Sequence, residues 1–207
     1  MCGIVGYIGD KDCFPILIKG LQRLEYRGYD SAGVAVFDGK DAIQVRKKKG
    51  KVEDLLAFVG DDLPTGSMGI GHTRWATHGP PNDVNAHPHT ARFGRLAMIH
   101  NGIIENYESL RTSLEANGHA FVSDTDTEVL IHLIDEVQSR TNTSITDAVQ
   151  MALKEVEGAY AIAIIDANEP DLLIAARKSS PLVIGVGEEN EFYIASDATP
   201  IIEHTQN

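Results

Sequence analysis

The sequence predicts an α+β layered domain in which helices cover sheets. Strand-patterned segments gather at both ends of the chain, helix-patterned segments fill its middle, and 207 residues suffice to bury a core without disulfide staples. The composition, 43% apolar and 23% charged, excludes a disordered or fibrous chain. One domain over residues 1–207 is the expectation.

Gly3 to Gly9 is short, apolar and punctuated by glycine, which predicts a buried strand starting almost at the terminus. Phe14, Leu17, Ile18, Leu21 and Leu24 recur at helical spacing with Gly28 just beyond, so a first helix ends near Tyr26. Ala32 to Phe37 and Ile43 to Lys47 are strands around the turn signal Asp38-Gly39. A short helix follows over Val52 to Val59. Met68 to Pro81, rich in Gly, Thr, His and Pro, is expected to be irregular, and such loops often carry function. Leu96 to His100 is a strand running into Asn101-Gly102, and Tyr107 to Glu115 a helix stopped by Asn117-Gly118. Thr125 to Arg140 and Ile145 to Glu157 carry apolar stripes, Val129, Leu130, Leu133 and Ile134 in the first and Ala148, Val149, Ala152 and Leu153 in the second. Ala159 to Ile165, Leu172 to Ala176, Leu182 to Val186 and Phe192 to Ala195 are four short strands expected to form a meander.

A formal net charge of -12 argues against a nucleic-acid partner, whose phosphates need clustered cations. The basic run Arg46, Lys47, Lys48, Lys49 and Lys51 is expected to be a solvated strand end or turn. Cys2 and Cys13 supply no disulfide framework and no C-x-x-C pair, and neither a secretory signal nor a stretch of transmembrane length is present, so a cytoplasmic protein without membrane contact is expected. No P-loop or dinucleotide fingerprint occurs. Histidines such as those of Asn85-Ala86-His87-Pro88-His89 lack metal-ligand spacing and are expected to be solvated or hydrogen-bonded, so neither metal nor organic cofactor is assigned.

Three constellations can carry chemistry. Excision of Met1 before a small second residue leaves Cys2 with both a thiol nucleophile and an α-amine of reference pKa about 8 that can accept its proton. Alone, a cysteine at position 2 is a weak signal. In Gly71-His72-Thr73-Arg74-Trp75-Ala76-Thr77-His78-Gly79, Arg74 can fork onto a small carboxylate, Thr77 and the His78 backbone can add donors, and Trp75 can cover the pocket. The competing reading is a structural loop with a surface Arg and a core Trp. Asn101-Gly102 offers a side-chain amide and a backbone N–H, the two donors an oxyanion hole needs, or else a simple Asn-Gly turn. Ser123 to Glu128 opens a helix, where capping explains much of the pattern and an acidic residue beyond the caps can meet a substrate ammonium.

Met1-Cys2-Gly3-Ile4-Val5-Gly6-Tyr7, Leu24 to Gly33 and His72 to Gly79 together resemble the class II glutamine amidotransferases. Asn85 to His89, His100 to Asn106, Ser123 to Glu128, Ser180 to Gly185 and Ala195 to Pro200 extend the resemblance over nearly the whole chain. The phosphoribosyl-pyrophosphate branch carries Gln where this chain has Tyr29 and lacks the Thr-Arg-Trp-Ala-Thr-His string, so the hexosamine branch is the better match. The resemblance implies the N-terminal-nucleophile hydrolase fold, a four-layer αββα sandwich with two antiparallel sheets. It further implies attack of Cys2 on the amide of L-glutamine, an oxyanion held by Asn101 and Gly102, an α-carboxylate bound by Arg74, Thr77 and His78, and an α-ammonium bound by Asp126 and the Gly102 carbonyl. Trp75 resembles a gating tryptophan, and Arg27 a supporting residue beside the nucleophile. The implied products are glutamate and ammonia. In a complete, homo-oligomeric enzyme the ammonia passes to a sugar-isomerase domain, absent from these 207 residues, that turns fructose-6-phosphate into glucosamine-6-phosphate. The rival expectations are a glutaminase of another class II branch and a catalytically silent glutamine-binding domain.

Overall fold

Alternation along the strands sorts the interior into three apolar layers, and this sorting sets the architecture of the computed structural model, which describes residues 1–207. In chain order the elements are β1 (Gly3–Ile8), α1 (Cys13–Leu24), β2 (Ser31–Phe37), β3 (Gln44–Lys49), α2 (Val52–Val59), β4 (Met68–Arg74), β5 (His89–Ala91), β6 (Leu96–Gly102), α3 (Tyr107–Ala116), α4 (Asp126–Thr141), α5 (Ile145–Leu153), β7 (Tyr160–Asp166), β8 (Leu173–Lys178), β9 (Val183–Val186) and β10 (Phe192–Ala195). A six-stranded sheet has the order β3-β2-β4-β1-β10-β9 and a four-stranded sheet the order β5-β6-β7-β8. Every named pairing in both is antiparallel.

Val5, Tyr7, Val34 and Val36 point outward from the larger sheet onto α1 and α2. Their alternates Ile4, Ala35, Met68 and Ile70 point inward, onto Ala97, Ile99, Ala161 and Ala163 of the smaller sheet. Met98, Ile162 and Ile164 then face α4 and α5. The order of layers is helices, sheet, sheet, helices, because each sheet is apolar on both faces and must be covered twice. No helix is long and apolar enough to cross a membrane.

Three expectations are corrected here. Residues 68–74 are not irregular: they form β4, paired on both sides in the middle of the larger sheet. Gly69 and Gly71 resemble loop punctuation but mark close approach of α1. A Cβ on Gly69 would lie 2.8 Å from Cys13 Sγ and Leu17 Cδ1 and 2.9 Å from the Ala35 carbonyl oxygen, and one on Gly71 3.0 Å from Val5. Overpacking of this kind costs about 1–3 kcal/mol, so Gly69→Ala should lower the urea midpoint without changing the slope of the transition, and an unchanged midpoint would remove the packing explanation. The four C-terminal strands form no single meander, since β7 and β8 belong to one sheet and β9 and β10 to the other. The chain switches sheets at Ser179, which bridges to Tyr160 and takes a φ of 63°.

The basic run is the third correction. Lys47 is not a solvated cation, for its ammonium donates to the carbonyls of Val84 (3.1 Å), Ala86 (2.9 Å) and Pro88 (3.2 Å), and burial pushes its pKa down to about 8. It pins the long connection between β4 and β5 against β3. Arg46 and Lys48 do reach outward, to Asp62 and Asp83.

Candidate active site

The inward rows of three strands change chemistry at one end of the inter-sheet layer. Counting by twos, Ile4 leads to Cys2, Met68 and Ile70 lead to His72 and Arg74, and Ala97 and Ile99 lead to Asn101. Apolar side chains thus give way to thiol, imidazole, guanidinium and amide where β1, β4 and β6 run out together. A cleft of ≈ 260 Å³ opens there, walled by Cys2, Arg27, Arg74, Trp75, Thr77, Asn101, Gly102 and Asp126 among other residues. Wider clefts of ≈ 670 and ≈ 750 Å³ lie elsewhere on the molecule, and neither contains a cysteine.

Two donors converge on Cys2. The Trp75 backbone N–H donates to Sγ at 3.1 Å, and Asn101 Nδ2 donates to the Cys2 carbonyl at 3.2 Å. Burial pushes the thiol pKa up and Asp30 adds to it, while the Trp75 N–H, the terminal ammonium and Arg74 oppose them without prevailing. The thiol therefore needs a base. With Met1 in place the α-ammonium sits on that residue and donates to the Arg27 carbonyl at 2.6 Å. Arg27 closes this end: its guanidinium donates to Ser196 Oγ at 3.0 Å and to Met1 Sδ at 2.9 Å and lies 3.6 Å from Asp197. Ser196 Oγ also accepts the Ile4 N–H at 3.0 Å, so Arg27 and Ser196 together hold the start of β1.

The walls carry opposite charges. Arg74 is buried, and its guanidinium donates to the carbonyls of His78, Gly79 (3.2 Å) and Pro80 (3.2 Å). It therefore shapes the loop after β4 as well as placing a cation in the cleft wall. Asp30 braces the same loop by accepting from the Ala76 N–H and donating its own N–H to the Arg74 carbonyl at 2.6 Å. Trp75 lies over Gly28 and is 54% exposed, so it is not a core residue. Thr77 lines the cleft, but His78 does not: its ring meets Tyr107 edge-on at 4.6 Å. Its Nδ1 lies 3.2 Å from Thr77 Oγ1 and 3.8 Å from Asp126 Oδ1.

Asp126 opens α4, where the helix dipole favours an anion. Thr125 caps that helix by accepting the Glu128 N–H at 3.3 Å, and Asp126 Oδ2 accepts the Ile104 N–H at 2.8 Å. The result is a buried carboxylate fixed across the cleft from the cation. Gly102 is required where it stands, because its φ of 115° is unfavourable for other residues and a Cβ would lie 2.2 Å from the Ala159 carbonyl oxygen. Asn101-Gly102 is therefore a strand end, paired with Ala161 and Tyr160, and not a free turn.

Four buried histidines, His72, His87, His89 and His100, cluster at the cleft, which His87 and His100 help to line, and all four are hydrogen-bonded. His72 and His87 stack with centroids 4.0 Å apart. His87 Nδ1 accepts the His100 N–H at 3.3 Å, His100 Nδ1 lies 2.9 Å from Thr127 Oγ1, and His89 Nε2 lies 3.0 Å from Thr125 Oγ1. Sequence reasoning assigned no site role to His72, His100, Thr127 or the lining pair Ser180-Pro181. Two-residue periodicity on β4 was the signal that would have found His72.

The glutamine amidotransferase domain family matches residues 72–203. Among curated relatives, glutamine–fructose-6-phosphate aminotransferase (isomerizing) from Bacteroides thetaiotaomicron is 59% identical over 99% of this chain and 33% of its own length. The protein of the same name from Thermococcus kodakarensis is 49% identical over 99% of this chain and 34% of its own length. The chain thus spans about a third of the length of these relatives. Among solved structures, glutamine phosphoribosylpyrophosphate amidotransferase from B. subtilis, complexed with ADP and GMP, superposes with a TM-score of 0.85 at 28% identity, over 99% of this chain and 44% of that one.

Proposed function

Because the chain belongs to the glutamine amidotransferase domain family, we propose that it hydrolyses L-glutamine to L-glutamate and ammonia through a thioester on Cys2. The observation that carries this reading is the convergence of the Asn101 amide and the Trp75 N–H on Cys2 in a cleft walled by a cation and an anion. An α-amino acid carries both charges. Arg74, with Thr77 and the backbone of His78, takes the α-carboxylate, and Asp126 with the Gly102 carbonyl takes the α-ammonium, leaving the side-chain amide to reach Cys2.

Excision of Met1 makes the Cys2 nitrogen the terminal amine. That amine accepts the thiol proton, and Sγ attacks the γ-carbonyl carbon. The C–O double bond opens to an oxyanion, which Asn101 Nδ2 and the Gly102 N–H stabilise. The C–N bond then breaks, the amine returns its proton to the departing nitrogen, and ammonia leaves behind a γ-glutamyl thioester. Water hydrolyses the thioester to glutamate and regenerates the thiol. Arg27 keeps the new terminus in place, and Trp75 closes over the bound amino acid.

In the complete protein the ammonia is delivered to fructose-6-phosphate in a sugar-isomerase domain, giving glucosamine-6-phosphate, within a homo-oligomeric cytoplasmic enzyme. The names and greater length of the relatives support the further domain and its sugar-phosphate substrate. Ammonia release from glutamine, compared between Met1-free protein and protein that retains Met1, tests the proposal. The Met1-free form should turn over and the retained form should not. Equal rates would dismiss the terminal amine as the base, and glutamine binding without turnover by the Met1-free form would favour a silent binding domain.

A further inference from the structure

His72 is a fully buried polar residue in a row that is otherwise apolar up to Ile70, and the reaction above gives it no part. Its Nε2 lies 3.0 Å from two atoms, the His100 carbonyl oxygen and Asn101 Oδ1. A carbonyl oxygen only accepts, so Nε2 carries the hydrogen whichever way the Asn101 amide is turned. That hydrogen then dictates the amide: an NH₂ in the same place would set donor against donor in a buried site. Oxygen must face His72, and Nδ2 is left on the Cys2 side, 3.2 Å from the Cys2 carbonyl.

We propose that His72 is a positioning residue which fixes the Asn101 side-chain amide with its N–H groups toward the reacting carbonyl. A flipped amide would present oxygen, and negative charge, to the developing oxyanion. The proposal rests on the assignment of Asn101 to the oxyanion hole. Neutrality of the ring supports it: burial, with lesser contributions from His100 and Arg74, pushes the His72 pKa down to about 3, against the raising effect of the Asn101 and His100 hydrogen bonds. Nδ1 is buried without a partner, so no competing acceptor draws the proton to that side. The stacked His87 ring holds the plane of the imidazole.

The test is ammonia release by Met1-free protein carrying His72→Phe, His72→Gln, Asn101→Ala or His72→Phe with Asn101→Ala. Loss of an oxyanion donor lowers kcat about 10²- to 10³-fold, which is the expectation for Asn101→Ala. His72→Phe should lower kcat by about tenfold or more with KM changed less than about threefold, because substrate binding is not what His72 serves. His72→Gln, which restores an N–H donor, should recover most of the loss. In the Asn101→Ala background the Phe substitution should cost almost nothing further. An undiminished kcat in His72→Phe beside a crippled Asn101→Ala would overturn the positioning role, as would additive losses or no rescue by Gln. Full activity in Asn101→Ala would instead remove the oxyanion assignment on which the proposal rests. Nitrogen-15 NMR of the unmutated protein reads the tautomer directly, without reliance on any variant's folding: the proton is expected on Nε2 of His72, and a proton on Nδ1 alone would overturn the proposal.

Discussion

Cys2→Ala should reduce ammonia release by on the order of 10⁴-fold or more while glutamine still enters the cleft. Groups that form a binding wall usually share its work, so removing one weakens affinity by degrees. A nucleophile is different, because no other group in this cleft can form the thioester. Cys13, the chain's second thiol, is buried beneath β4 with its pKa pushed up to about 12 by burial and, to a lesser degree, by Asp12. It cannot substitute. Isothermal titration with glutamine alongside the ammonia assay separates the two effects: binding should survive in the alanine variant and turnover should not. Turnover in Cys2→Ala within tenfold of the unmutated protein would transfer the chemistry to another residue.

Acid should begin to destabilise the protein well above the range of ordinary carboxylates. Burial is the largest cause in each of four histidines: it pushes His72 down to about 3, holds His87 and His89 well below their usual value, and lowers His100. Between pH 6.5 and each lowered value the unfolded chain binds a proton that the folded chain refuses, so stability is complete above pH 6.5 and falls as the pH drops through that window. Each such histidine lowers stability as the pH falls from 6.5 toward its own lowered value, so the urea midpoint should fall steadily from pH 7 to pH 5. Glu128 continues the trend at lower pH. Burial alone would raise its pKa, but hydrogen bonds from His132, Ser123 and Val122 outweigh burial and bring it down to about 2, so its contribution is lost as pH falls from its ordinary range toward that value. Urea midpoints at pH 7, 6 and 5 check this expectation. A flat series would mean that the histidines are protonated in the folded protein, or reached by water.

The reasons some of this was legible in the sequence and some was not are physical. The layered α+β fold followed from period: two in the strands at both ends, 3.6 in the helices between them. Cys2 and Asn101-Gly102 stood out because they flank apolar strand segments, Arg74 and Thr77 because polar residues cluster around the only Trp, and Asp126 through the family resemblance, and the cleft gathers all six. What failed was reading glycine only as a breaker. Gly69 and Gly71 are needed where a helix presses on a strand, and taking them for loop residues hid both the central strand β4 and the inward row that ends in His72. Lys47 failed for a related reason, since charge pattern cannot show that three backbone carbonyls await one ammonium. For His78 the sequence pointed to a backbone donor and carried no signal for the ring, which lies against Tyr107. Arg74 shows the same limit, because a fork suited to a carboxylate is equally suited to the carbonyls of its own loop.

Intact mass of the purified protein, before and after exposure to an electrophilic glutamine analogue, shows whether Cys2 is an N-terminal nucleophile. The chain should be lighter by Met1 and gain one adduct, mapped to Cys2, and a Cys2→Ala control should gain none. A Met1-free chain that takes no adduct, or an adduct that persists in the alanine control, would contradict that role.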